Sequence, residues 1–411
     1  DAGHYIYGLS GILLAHLFFN IPLATRIILQ AIEAIPSESW RLASQLNLQP
    51  KHLFMILEWP QIKPQLPALF SLIFMLCFTS FAIVMSLGGG PDFATLEVAI
   101  YQSLKFDFDI EQAVALAIIQ IIISAMLMLV SNLWFKPQPM PTPSGQYFAR
   151  PDHQHTVSRY ADWAIFGLAA LLFLPPLCAV LFSGLNEQTL TFFASSVLWQ
   201  ATFISLKIAL SASLLSALLA IAILFSTRVL KLHLGWSNLA HSIESIGSII
   251  LVVPALVLGT GLFLMLRETV DVFSIAPILV VLVNALMALP YVIKTLAQPL
   301  LHIAQQYQLL SASLGLYGFT RFRLIEWRAL RKPMAHAFAI AFIMSIGDLS
   351  AIALFGSQEF RTLPLYLFQL LGSYQMEAAA VVSLSLLLLS VGVFSVVEWL
   401  FSSKNNHKGE L

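Results

Sequence analysis

The stretch ASQLNLQPKHLFMILEWP, Ala43 to Pro60, decides how this chain is read. It sets a Lys, a His, a Glu and two prolines between two long apolar runs, in a chain that is 58% hydrophobic and only 10% charged. Such a passage is unsuited to lipid, where ionisable groups and helix breakers are costly, so it reads as a loop held outside the bilayer. A second stretch, SASLGLYGFTRFRLIEWR from Ser311 to Arg328, aligns with it without a gap. Five of the eighteen positions are identical: Leu46/Leu314, Leu48/Leu316, Phe54/Phe322, Glu58/Glu326 and Trp59/Trp327.

The surrounding composition sets the class. Mean hydropathy is +0.83 and the chain holds 30 Phe, whereas soluble domains carry roughly 25% charged residues. This is an all-α polytopic membrane protein. Helices are preferred over a barrel because no alternation of period two is present. The formal net charge is zero, so there is no nucleic-acid footprint. Cys77 and Cys178 both lie in apolar runs and define neither a disulfide framework nor a thiolate site. No catalytic constellation and no cofactor or metal motif is found. His153 and His155 stand in a polar linker without a further ligand nearby.

Nine stretches approach the ~20 apolar residues needed to cross a bilayer: 6–30, 66–87, 112–135, 163–183, 199–225, 242–266, 275–297, 335–356 and 377–401. Alternate loops are basic and are expected on the cytoplasmic side. They are 36–65 (Arg41, Lys51, Lys63), 136–160 (Lys136, Arg150, Arg159), 226–238 (Arg228, Lys231) and 303–334 (Arg321, Arg323, Arg328, Arg331, Lys332). The tail with Lys404 and Lys408 is basic again.

The alignment extends well beyond the loop. Pro22/Pro290, Arg26/Lys294 and Trp59/Trp327 are each 268 residues apart, and Thr95/Thr362 are 267 apart. Six spans separate the copies, so the repeats are parallel. The expected division is a first repeat at 1–135 with its loop at 36–65, a linker at 136–160, a second repeat at 161–403 with its loop at 303–334, and a tail at 404–411. Symmetry predicts a further ~120 residues and three helices ahead of residue 1, giving twelve helices in the full chain. The opening Asp, in place of Met, is read in the same way.

Each loop carries small residues, a turn and a Glu-Trp pair, with Ala43, Asn47, Glu58 and Trp59 in one, and Ser311, Gly315, Glu326 and Trp327 in the other. This spacing resembles the EAA loop of bacterial ABC importer permeases. Arg41-Leu42-Ala43 and Leu309-Leu310-Ser311 stand in place of E-A-A, Asn47 replaces one Gly, Gly315 keeps the other, and only the first copy ends in Pro. IFMLCFTSFAIVMSLGGGP (73–91), MSIGDLSAIALFG (344–356), FRTLPLYLFQLLGSY (360–374) and NIPLATRIILQAIEAIP (20–36) are similar to the permeases of bacterial thiamine importers. Fused ferric-iron importer permeases are the nearest alternative, and a secondary transporter with parallel repeats is a rival of another class.

The resemblance implies a type I ABC importer fold in the bacterial inner membrane. It also implies an ABC ATPase dimer docked at the two loops through Arg41, Ala43, Asn47, Glu58, Trp59, Ser311, Gly315, Glu326 and Trp327. A periplasmic thiamine-binding protein would deliver thiamine and its phosphates. The chain lacks G-x-x-x-x-G-K-[ST], so ATP hydrolysis is expected from a separate subunit.

Asp348 is the only acidic residue near the middle of a clear span, about 20 Å along it from residue 335. It either meets the positive thiazolium of the substrate, with Gly347 leaving room beside it, or makes a structural hydrogen bond. Ser80 stands at the corresponding place in the first copy. Pro60 is expected to end the first loop, and Pro254, Gly259 and Gly261 to kink or tightly pack an apolar helix.

Overall fold

In lipid a lone strand has no partner for its backbone polar groups, whereas a helix satisfies its own. The computed structural model describes residues 7–88, 90–134, 156–187, 189–232, 234–250, 253–316 and 318–401, and among them the regular structure is helical throughout. The linker residues 136–155, with His153 and His155, and the tail from 402 onward lie outside the described residues. Two compact units are present, one formed by residues 1–103 and 109–181, the other by 104–108 and 182–411.

The first unit runs through α1 (Leu9–Glu33), α2 (Ser37–Gln45), α3 (Pro50–Leu53), a π-helical turn (Phe54–Glu58) and α4 (Trp59–Ile62). It continues with α5 (Leu66–Phe78), α6 (Phe81–Leu87), α7 (Leu96–Lys105) and α8 (Ile110–Trp134), and α9 (Thr156–Gly184) carries the chain onward. The second unit holds α10 (Thr189–Phe193), α11 (Ser196–Leu232), α12 (Ser237–Ile249), α13 (Ala255–Leu266), α14 (Ala276–Gln306), α15 (Gln308–Ser313) and α16 (Gly318–Arg321). A second π turn (Phe322–Glu326) then leads to α17 (Trp327–Ile346), α18 (Ser350–Phe355), α19 (Leu363–Gly372) and α20 (Met376–Phe401).

Among the described residues, seven helices are long and apolar enough to cross a membrane, or eight if the pair Pro50–Ile62 and Leu66–Phe78, bent by 58°, is one span. The nine apolar stretches expected from the sequence are roughly matched, with three of them interrupted. Residues 66–87 divide into α5 and α6, 242–266 into α12 and α13, and 335–356 into α17 and α18. Hydropathy counts apolar residues and does not register where a helix is interrupted within an apolar run. Pro254 does not kink a helix: it is the extended N-cap of α13. Within α13, Gly259 lies where a Cβ would sit 3.3 Å from Leu354 and 3.4 Å from Phe355, so close packing is its role.

The breaks repeat. α5 stops at Phe78 and α17 stops at Ile346, 268 residues later; α6 and α18 end at Leu87 and Phe355 with the same offset. Gly88 and Gly356 follow them, and a Cβ at either would come within 2.5 Å of the carbonyl oxygen of Val84 or Ile352. Any larger residue would push the helix end apart. Polar contacts between helices repeat as well. Asn20 Nδ2 donates to Cys77 Sγ at 3.5 Å, and Asn284 Nδ2 donates to Ser345 Oγ at 3.0 Å. The acceptors Cys77 and Ser345 are again 268 apart, while the donors Asn20 and Asn284 are 264 apart, about one helical turn out of register.

The second unit is built around α11, α14 and α17. Ala220, Ala288, Ala337 and Ala341 are all but fully buried where these helices meet, beside Leu224, Val292, Leu296, Leu300 and Leu330. Apolar surfaces gain little from leaving lipid for each other, so small residues that allow close backbone approach hold such helices together. α11 has 37 residues and is about 55 Å long, which exceeds a hydrocarbon core of about 30 Å. Its last turns, with Arg228 and Lys231, therefore stand clear of the lipid interior. By contrast the apolar window of α9 contains no buried residue. Substituting Ala337→Leu is expected to overpack this junction and cost about 1–3 kcal/mol, seen as a lower thermal midpoint in detergent. Leu171→Ala on α9 leaves that midpoint unchanged.

Candidate functional site

The two loops are built by the same hydrogen bonds. In the first, the Leu48 N–H donates to the Ala43 carbonyl at 3.2 Å and the Asn47 N–H to the Ser44 carbonyl at 3.1 Å. In the second, Leu316 donates to Ser311 at 2.9 Å and Gly315 to Ala312 at 3.2 Å. Each pair is a Schellman closure, which satisfies the last carbonyls of a helix by reversing the chain through one left-handed residue. Asn47 (φ 48°) and Gly315 (φ 61°) are those residues. Asn tolerates this conformation where most side chains do not, so replacing Gly by Asn keeps the turn.

The next segment widens into a π turn in both copies. The Trp59 N–H reaches the Phe54 carbonyl, and Trp327 reaches Phe322, each five residues back. Residues five apart then share a face, which brings Phe54 against Trp59 (ring centroids 5.8 Å apart) and Phe322 against Trp327 (6.0 Å). The identities at these positions follow from this geometry. Pro60 does not end the loop as expected, because it lies within α4. Nor does it cause the π turn, since Arg328 occupies the matching place beside an identical one.

Burial divides the candidate residues into two sets. Ala43 and Ser311 are each 2% exposed, Glu58 is 4% and Glu326 is 1% exposed. Ala43 packs with Ile35, Trp40 and Leu53 beneath the turn. Its small size therefore serves the loop's own interior rather than an approaching surface, which corrects the sequence expectation. The exposed set is Arg41, Asn47, Gly315, Trp59 and Trp327. Sequence reasoning overlooked its most apolar members, Leu42 with Leu46 and Leu310 with Leu314, which are matched pairs and are all exposed. The signal was in the alignment, since a leucine kept in a polar loop and not needed for its core faces outward.

The buried carboxylate of Glu326 lies 2.9 Å from Arg228 Nη1 and 2.9 Å from Arg321 Nε. Arg321 Nη2 also donates to the Ala304 carbonyl at 2.9 Å. Hydropathy marked both arginines only as loop charge, since nothing in a linear reading brings position 228 to position 326. Arg321 has no counterpart in the first loop, where Leu53 stands instead and is fully buried.

Asp348 and Gly347 lie between α17 and α18, not within a continuous helix, and Ser80 lies at the N-terminus of α6. The Asp348 carboxylate accepts the N–H groups of Ser350 at 3.3 Å and Ala351 at 3.1 Å. It thereby satisfies donors at the start of α18 that a helix leaves open. Both of these hydrogen bonds are local to the break between α17 and α18. Among the described residues no group of three or more His, Cys, Asp or Glu is placed to hold a metal ion.

Apolar crossing helices, a duplicated loop and paired helix breaks define a membrane transport subunit, and comparison with known proteins agrees. Residues 2–137 and 237–405 match the family described as binding-protein-dependent transport system inner membrane component, and the chain belongs to that family. It has the type I ABC importer permease fold in its duplicated, fused form and is a multi-pass inner-membrane protein that acts as a transport subunit. It is 45% identical to the thiamine transport system permease protein ThiP of Escherichia coli over 393 residues, covering 95% of this chain and 73% of that protein. Against the Salmonella typhimurium protein of the same name it is 44% identical over 396 residues, covering 95% and 73%. Similarity to the Fe(3+)-transport system permease protein FbpB 2 of Haemophilus influenzae is 22% over 393 residues, covering 93% and 75%.

Two outcomes test the geometry of the site. Gly315→Val forces a β-branched residue into the left-handed region and costs about 1–2 kcal/mol, read as a lower thermal midpoint, whereas Asn47→Gly lowers nothing. Asp348→Ala removes both caps of α18 and costs about 0.5–2 kcal/mol. Asp348→Asn keeps an acceptor oxygen and retains most of that stability.

Proposed function

We propose that this chain is the permease of an ATP-driven importer that carries thiamine and its phosphates from periplasm to cytoplasm by alternating access. The observation that carries the reading is 45% identity, over 95% of the chain, to a protein named for thiamine transport. Similarity to a ferric-ion permease is far more distant at 22%. A periplasmic binding protein delivers the substrate and an ABC ATPase dimer on the cytoplasmic side hydrolyses ATP. This chain performs no covalent chemistry. The working division is a first repeat at 1–135, a linker at 136–160, a second repeat at 161–403 and a tail at 404–411, in keeping with two separate family matches.

The two loops are the ATPase contacts. Arg41, Leu42 and Leu46 on the first, and Leu309, Leu310 and Leu314 on the second, offer exposed surface on short helices. Asn47 and Gly315 fix the turn, Ala43 and Ser311 let it close, and Glu58, Trp59, Glu326 and Trp327 join it to the following span. The matched leucines support this reading, because exposed apolar side chains on a loop outside the lipid suit a protein partner.

Asp348 holds an anion at a helix break, beside the exposed Gly347, where a substrate bearing a thiazolium would meet it. Ser80 at the first break carries no charge, so recognition is asymmetric. Reconstituted with its ATPase and binding protein, the importer is expected to accumulate thiamine only with ATP and to stop with vanadate. Uptake that continues under vanadate supports a secondary transporter instead. Asp348→Asn is expected to slow thiamine uptake at normal assembly, and unchanged uptake removes the charge from the pathway.

A further inference from the structure

Burying a carboxylate is costly, and a buried ion pair often stabilises a fold no better than apolar residues of the same volume. Glu326 is nevertheless 1% exposed and faces two guanidinium groups. The cluster joins three elements. Arg228 belongs to the last turns of α11, Glu326 closes the π turn that opens α17, and Arg321 adds a bond to Ala304 in the last turn of α14. An aromatic path runs alongside. The Arg228 guanidinium lies 4.4 Å over the Phe225 ring, Phe225 meets Phe322 edge-on at 5.4 Å, and Phe322 pairs with the exposed Trp327. Directly beneath are the leucines and alanines that lock α11, α14 and α17 together.

An ion pair favours one register, because its charges compensate each other only when the groups face one another, as the 2.9 Å charge contacts do here. This cluster adds a charge-based constraint on register to the packing beneath it. We propose that Arg228, acting through Glu326, is a positioning residue that transmits displacement of the second loop into α11, so that loop, α11 and α14 move as one body during transport. The inference rests on the proposed ATP-driven import. The first loop is built otherwise, with Leu53 buried among Ile35, Trp40 and Ala43 at the place of Arg321. The two loops share a turn, and the bond from Arg321 to Ala304 belongs to the second alone, since a leucine has no donor to replace it. Beside Arg228, a cavity of about 80 Å³ is lined by Thr227, Lys231, Glu244 and Gln298. Lys231 is itself paired with Glu244 at 2.9 Å, so the end of α11 is also fixed to α12.

The test uses the assembled importer, with ATPase and binding protein, in proteoliposomes. Thiamine uptake and ATP hydrolysis are measured together for the unsubstituted chain, Arg228→Met, and the exchange Arg228→Glu with Glu326→Arg. Arg228→Met is expected to leave the complex assembled and hydrolysing, while uptake per ATP falls about fivefold or more, a coupling of ordinary allosteric size. The exchange is expected to recover a substantial part of that ratio. An unchanged ratio in Arg228→Met overturns the proposal. So does a parallel loss of hydrolysis and uptake as the complex dissociates, which would make the cluster merely structural. A second measurement does not depend on the substrate. Spin labels at Ser313 on the loop and Leu214 on α11 are expected to keep one separation with and without ATP and vanadate, and to lose it in Arg228→Met. A separation that changes with nucleotide in the unsubstituted chain contradicts movement as one body. Failure of the proposed function would appear in the unsubstituted importer as vanadate-resistant uptake, whereas failure of this inference appears in the ratio and the label distances.

Discussion

Every backbone polar group inside a bilayer must find a partner within the protein, and that requirement governs both the regular and the irregular parts of this chain. It makes the crossings helical. It also limits where a helix can stop. α5 and α17 stop at equivalent places, and the freed groups are taken up locally: Thr79 Oγ1 donates to the Met75 carbonyl at 2.8 Å, and the Asp348 carboxylate accepts two N–H groups of α18. Interruptions kept at one offset in both copies are features of the architecture. Irregular backbone within an apolar crossing is tolerated only where it is packed in protein or lines a polar path.

The same logic explains the duplicated loop. Outside the lipid the chain is free to turn, yet both loops use the same closure, the same π turn and the same aromatic pair. Of the five identities, Leu48 packs on the cluster beneath the first turn, Phe and Trp face each other across the widened helix, and Glu is buried. Leu46 and Leu314 serve none of these internal roles and point outward. The loop thus has a defined backbone shape and a defined exposed face. That shape comes from backbone closure, so the two sequences can diverge at most positions and keep it.

Much of this was legible in the sequence because a repeat with a constant offset exposes what both copies need. The helical class, the basic loops and the paired Glu-Trp positions could be read from residue type and spacing. The helix breaks could not. Thr79-Ser80 and Gly347-Asp348 sit within apolar runs, and hydropathy averages over them. The π turns were equally hidden, since one extra residue per turn leaves no compositional mark. The small size of Ala43 is compatible with close approach from either side, and only the fold places it in the loop's interior. Arg228 and Glu326 are 98 positions apart, and no local pattern links them.

Each loop is a short helix presenting exposed leucines above a buried acid and a widened turn. The most direct measurement is site-specific crosslinking in native membranes from photoreactive residues at Leu42 and at Leu310. The account predicts that both positions capture a nucleotide-hydrolysing subunit, one copy per loop. Capture of lipid alone at both positions would contradict it.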